Sequence, residues 1–188
     1  PPSMPNEPLI FVEVALVNGL ASQIQVLLDV KAPVLDPGEA DTAIFYSISN
    51  TQPGLAGIKF GNFLIKQVVD RLRREQPNLK QFSTLSPIPG FMGWLKQSLK
   101  ENELDFKGAE QKKLKAVIGK IPTLGILSEQ LSSIKWAKDE PLAEALQTVL
   151  KRFAAIYLLK AKGRDSAHAL DPVAHFHLSN GASIQQLN

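Results

Sequence analysis

Cysteine is absent from all 188 residues. That excludes disulfides, thiolate metal ligands and a cysteine nucleophile, and it fits a reducing compartment. Long hydrophobic runs are missing too. The two longest, residues 9–17 (broken by Glu13) and 153–159, are far too short to cross a bilayer. No charged n-region followed by an apolar h-region opens the chain, so neither a membrane span nor a secretory signal is expected. Charge is nearly balanced, at a formal net +3. This mild excess favours an anionic ligand such as a nucleotide phosphate, but it is too small and dispersed for nucleic acid. There is no internal repeat, no low-complexity tract, no dinucleotide fingerprint and no G-K-[ST] ending of a P-loop.

What is present suits one globular domain, with 44% hydrophobic residues and enough length for a core. A start at Pro1 and Pro2 without a methionine, and an end at Asn188, read as cuts through a longer protein. After a proline-rich lead-in, residues 9–17 are almost continuously apolar, which predicts a strand covered on both faces. Leu20, Ile24, Leu27 and Leu28 have helical spacing, so a helix is expected over 20–30, followed by a loop to Asp41. Residues 43–49, rich in Ile, Phe and Tyr, predict a second buried strand. A loop with Pro53, Gly54, Gly57 and Gly61 follows, and Asn62 is placed to cap the next helix. That helix carries Leu64, Ile65, Val68, Val69 and Leu72 on one stripe, with Lys66 and Asp70 outside, and Pro77 ends it. Strand, glycine loop, helix and the strand at 81–85 make a βαβ unit.

The stretch F-S-T-L-S-P-I-P-G-F, residues 82–91, organises the rest. Pro87 and Pro89 cannot join a sheet ladder, and Pro87 keeps Ser86 out of helical geometry. A hydroxyl is thereby held at the carboxyl end of a strand, where open α/β sheets place their chemistry. Helices are then expected over 91–99, 109–118, 124–131 and 141–159. The last has Leu142, Leu146, Val149, Phe153 and Ile156 as its buried stripe, with Pro141 in its first turn. Residues 92–165 thus read as an all-helical insertion between sheet elements. Alternation over 173–178 predicts a final strand, and Asn180-Gly181 a turn leading to 182–187. All three histidines lie within 168–177, and on a strand His175 and His177 would share a face. No third ligand accompanies them, so no metal is expected.

Residues 82–91, the stretch D-P-V-A-H-F-H-L-S-N-G-A at 171–182, and T-A-I-F-Y-S-I-S at 42–49 followed by T-Q-P-G-L-A-G-I-K-F-G resemble segments of the malonyl-CoA decarboxylase family, in the same order. The resemblance runs from about Met4 to the end. It implies an acetyltransferase-like mixed sheet with flanking helices, and the decarboxylation of malonyl-CoA to acetyl-CoA and CO2. It implies that the loop Ala56, Gly57, Ile58, Lys59, Phe60, Gly61 and Asn62 cradles the pyrophosphate of coenzyme A. Of the usual [QR]-x-x-G-x-[GA] pattern only Gly61 is kept, with Ala56 at the Gln/Arg position and Lys59 at the inner glycine. The resemblance further implies Ser86 and His177 as the catalytic pair, Ser86 as proton acceptor and His177 as proton donor. A lone serine is a weak base, so this chemistry requires the two to be hydrogen-bonded. No cofactor is implied, since coenzyme A arrives with the substrate. A homo-oligomer formed through an N-terminal helical domain outside these residues is implied as well. Localisation is expected to be the bacterial cytoplasm, or the mitochondrion or peroxisome in a eukaryote.

Two other classes compete. A coenzyme A-dependent acyltransferase of the same fold would use the same loop and need a base such as Glu13 beside an amine. A non-catalytic coenzyme A-binding subunit would bind without turnover and use the helix at 141–159 for docking. Contacts from Lys59, Arg73 or Arg74 to a nucleotide are left open by the sequence.

Overall fold

The computed structural model describes residues 10–52, 60–163 and 167–188. The architecture is mixed α/β. The chain forms two compact units, residues 1–86 and 87–188.

In the first unit, β2 (Thr42–Asn50) is the middle strand of a sheet ordered β1-β2-β3. Thr42, Ala43, Ile44 and Phe45 are all buried, as β-branched and aromatic residues on a central strand should be. β1 (Ile10–Val17) runs antiparallel to it and β3 (Gln81–Thr84) parallel. A bulge interrupts the first pairing: Glu13 faces Ser47 but Val14 faces Phe45, so Tyr46 has no register partner. β1 is not covered on both faces. Phe11 and Glu13 are exposed and the other strand residues only half-buried, because β1 lies at the sheet's edge.

The helix α2 (Phe60–Glu75) links β2 to β3, and the expected βαβ unit is present. Leu64, Ile65, Val68, Val69 and Leu72 are partly covered, while Lys66 and Asp70 face solvent. Asn62 lies inside this helix rather than ahead of it. The helix foreseen over 20–30 shrinks to one turn, α1 (Ile24–Leu27), with Val26, Leu28 and Val30 exposed. With no face buried, apolar spacing alone cannot sustain a longer helix.

The second unit is helical among the described residues. It contains α3 (Phe91–Lys100), α4 (Gly108–Ile118), α5 (Leu124–Gln130), a short 3-10 turn (Ile134–Lys138), α6 (Glu140–Lys160) and α7 (Pro172–Ser179). The helix α6 is its axis: Leu146, Val149 and Phe153 have no exposure, and Leu95, Leu99, Leu114 and Leu127 pack around them. Asp139 caps α6 by accepting the Leu142 N–H, with Pro141 in the first turn. The strand foreseen at 173–178 is instead α7, so no sheet element follows the helical block in the described chain. Asp171 at the cap and Pro172 at the first helical position outweigh a six-residue alternation. Asn180-Gly181 does turn the chain, as a helix end. Gly181 has φ +85°, and the Asn180 and Ala182 N–H groups both donate to the His177 carbonyl.

Candidate functional site

The candidate residues fall in both units. In the first, the ladder between β2 and β3 stops at Phe45 and Thr84, and the Leu85 N–H adds one last bond, 3.0 Å, to the Phe45 carbonyl. β2 continues through residues 46–50, of which 47–50 have their register partners on β1. Ser86 comes next after Leu85, exposed, its hydroxyl 3.0 Å from that of Thr84. In a βαβ unit the carboxyl ends of both strands and the start of the connecting helix lie at one edge of the sheet. Ser86 and the start of α2 therefore share that edge. Of the candidate pyrophosphate loop, Phe60, Gly61 and Asn62 form the start of α2, and Ala56, Gly57, Ile58 and Lys59 lie outside the described residues.

Arg73 and Arg74 are in the last turn of α2, about 20 Å along the helix from its start at 1.5 Å per residue. The Arg73 guanidinium lies 5.1 Å over the Phe82 ring, and Arg74 Nε donates to the Asp70 carbonyl at 3.1 Å. Both belong to the opposite end of the helix from the candidate loop.

In the second unit, His177 is on α7 and half-buried. Desolvation lowers its pKa below the ordinary 6.5. The Phe176 ring meets it edge-on at 5.0 Å. On a helix, residues two apart point roughly 200° apart, so His175 and His177 do not share a face. His175 turns instead to its own surroundings: its ring lies 4.5 Å from that of His168, and its Nδ1 is 3.1 Å from the Ser179 hydroxyl. No group of three His, Cys, Asp or Glu side chains able to hold a metal is found among the described residues.

Two residues that sequence reasoning passed over sit at the base of α7. Asp171 is fully buried, and one of its oxygens accepts the N–H groups of Val173 and Ala174 at 3.0 and 2.9 Å. Its other oxygen accepts the Tyr157 hydroxyl at 3.2 Å. Burial, reinforced by the Asp171 charge and hydrogen bond, raises the Tyr157 pKa to about 12, so the phenol keeps its proton through the neutral range. Phe91 and Trp94 wall the phenol, with ring centroids 6.0 and 5.2 Å away. The signal for Asp171 was its position one residue before a proline that opens a helix.

These features define a mixed α/β protein. One unit presents a hydroxyl and a helix start at the carboxyl edge of its sheet, and the other carries a half-buried histidine on a capped helix. The family model for the malonyl-CoA decarboxylase C-terminal domain matches residues 1–188. The chain belongs to that family. It is 44% identical over 196 residues to the mitochondrial malonyl-CoA decarboxylase of Rattus norvegicus, covering 99% of this chain and 39% of that protein. The corresponding protein of Anser anser anser is 42% identical, at 99% and 38% coverage. The crystal structure of malonyl-CoA decarboxylase from Rhodopseudomonas palustris is similar with a TM-score of 0.76 and 44% identity, over 96% of this chain and 38% of that one. The structure from Agrobacterium vitis gives 0.76 and 40%, over 93% and 39%. The chain thus spans about two fifths of the length of these relatives. No described helix is long and apolar enough to cross a membrane.

Proposed function

We propose that the protein to which this chain belongs decarboxylates malonyl-CoA to acetyl-CoA and CO2. The agreement of the family, the relatives and the solved structures over nearly the whole chain carries this reading. Loss of CO2 breaks the bond between the carboxylate and the methylene carbon. The electron pair passes into the thioester as an enolate, and a proton must then reach that carbon. Catalysis therefore needs donors for the developing oxyanion and a proton source.

In this reading His177 delivers the proton. Its lowered pKa makes its imidazolium a stronger acid than an ordinary histidine's. Ser86, at the sheet's carboxyl edge, holds the departing carboxylate. Residues 56–62 take the coenzyme A pyrophosphate at the start of α2, where backbone N–H groups and the helix dipole favour an anion, and Lys59 adds a charge. The edge of β2 beyond Phe45 offers further backbone donors. No prosthetic group is required, because coenzyme A enters as part of the substrate. The acetyltransferase-like character of the sheet, a homo-oligomer, and a compartment set by the source (bacterial cytoplasm, or mitochondrion or peroxisome in a eukaryote) belong to the same reading.

The test is malonyl-CoA turnover by the full-length protein, followed as acetyl-CoA and CO2. His177→Ala and Ser86→Ala are each expected to lower kcat by about 100-fold or more, the usual weight of a positioned proton-transfer group. Unimpaired turnover in either variant removes that residue from the mechanism. Coenzyme A binding without turnover in the unmodified protein would replace the decarboxylase with a binding module.

A further inference from the structure

We infer that Tyr157 and Asp171 form a positioning clamp that sets the orientation of α7 and, with it, of His177; the inference rests on the role proposed for His177 above. α7 is short. It has eight residues and none of them is buried. A helix of that length is marginal by itself, and this one meets the core through the partly buried Ala174 rather than through a fully buried face. Its start is held by hydrogen bonds as well. One oxygen of Asp171 takes two of the N–H groups that a helix leaves unpaired at its first turn.

Asp171 is in turn immobilised. Its second oxygen accepts the Tyr157 hydroxyl, and Tyr157 belongs to α6, the most deeply buried helix of the unit. Just upstream, Gly163 N–H donates to the His168 carbonyl and Leu170 N–H to the Ala161 carbonyl, both at 3.1 Å, which ties the segment before Asp171 to the end of α6. The third side of the clamp is Gly90, which precedes α3. A Cβ there would overlap the Tyr157 hydroxyl and lie 3.8 Å from the second Asp171 oxygen. The hydroxyl therefore lies close against Gly90 at the start of α3 while it donates to the cap of α7. Six residues on from that cap is His177. A tilt of so short a helix about its first turn displaces the imidazole, and a misplacement of an ångström costs about 100-fold in rate.

The experiment uses the full-length protein. Tyr157→Phe deletes only the hydroxyl and keeps the ring. It is expected to lower kcat about tenfold to a hundredfold while KM stays within about twofold, the pattern of an interaction felt in the transition state. Deuterium uptake over residues 172–180 should rise in the same variant. Asp171→Asn retains an oxygen for the two N–H groups and should recover part of the kcat and protection lost in Asp171→Ala. Wild-type kcat and unchanged uptake in Tyr157→Phe would overturn the clamp. If His177→Ala is itself fully active, the proposed role of His177 fails, and the uptake of α7 in Tyr157→Phe still decides whether the clamp exists.

Discussion

Gly90 has space for a hydrogen and nothing more, because the Tyr157 hydroxyl occupies the volume a methyl would take. Gly90→Ala is expected to push the phenol off Asp171 and to destabilise the protein by about 1–3 kcal/mol, as overpacking of a filled interior does, measurable by urea denaturation. His177 makes a second residue-level prediction. Its folded-state pKa lies below 6.5, so the unfolded chain takes up the proton first as pH falls. This contribution to stability is complete above pH 6.5 and is lost as pH drops from there to the folded-state value. An NMR titration should place the His177 ring midpoint below 6.5, and a midpoint above it would contradict the burial seen here. At this scale the sequence was half legible. The stripe Leu142, Leu146, Val149, Phe153 is the buried face of α6. The spacing continues the stripe to Ile156, three residues on, whereas Tyr157, four on, is the more deeply buried. A 3.6-residue period permits either step, and only the packing partner on α3 decides between them.

Between elements, the firmest polar tie joins α4 to α6. Arg152 grips both oxygens of the buried Glu110, Nε at 2.6 Å and a terminal nitrogen at 2.7 Å, and it also reaches Asp105. The same Glu110 accepts the Lys107 N–H at 2.8 Å, closing the first turn of α4. Burial pushes the Glu110 carboxyl up, but the Arg152 hydrogen bond and charge overcome it and hold its pKa below the usual value. Glu110→Ala leaves the half-covered Arg152 with Asp105 alone and is expected to cost about 3 kcal/mol, with the loss visible as a lowered Tm. A variant as stable as the parent would show that the pair is merely decorative. α5 and α6 are legible because each carries a start signal, Thr123 accepting the Ile126 N–H before one and Asp139 with Pro141 before the other. Alternation over 173–178 predicts a strand where α7 forms, because Asp171-Pro172 starts a helix there. The carboxyl cap and the fixed proline φ act on the backbone itself, whereas alternation over six residues only suggests a face.

At the scale of the whole molecule the described residues form two cores. Ala40, Ala43 and Leu79 anchor one beneath the sheet, and the α6 stripe anchors the other. Leu146→Ala in the second is expected to cost about 3 kcal/mol and to speed hydrogen exchange across α3 to α6, and unchanged exchange there would remove α6 from the centre of that unit. The composition gave no hint of this division. Its boundary, between Ser86 and Pro87, falls in the proline turn that the sequence marks as a strand stop. A stop signal says where pairing ends and not whether the next core is shared, since that depends on contacts remote in sequence. The βαβ unit was legible for the opposite reason: its strands and helix are consecutive, and their periods differ.

The unpaired Tyr46 sets where β2 can change length. Removing it would bring Phe45 and Ser47 together opposite Val14 and Glu13, which are already consecutive, so every other rung of the β1 ladder would keep its partner. A deletion elsewhere in β2 would slide the remainder by one and turn its inner residues outward. Chains that differ from this one by a single residue in the strand should therefore carry the difference at position 46, where the sheet already has a place for it.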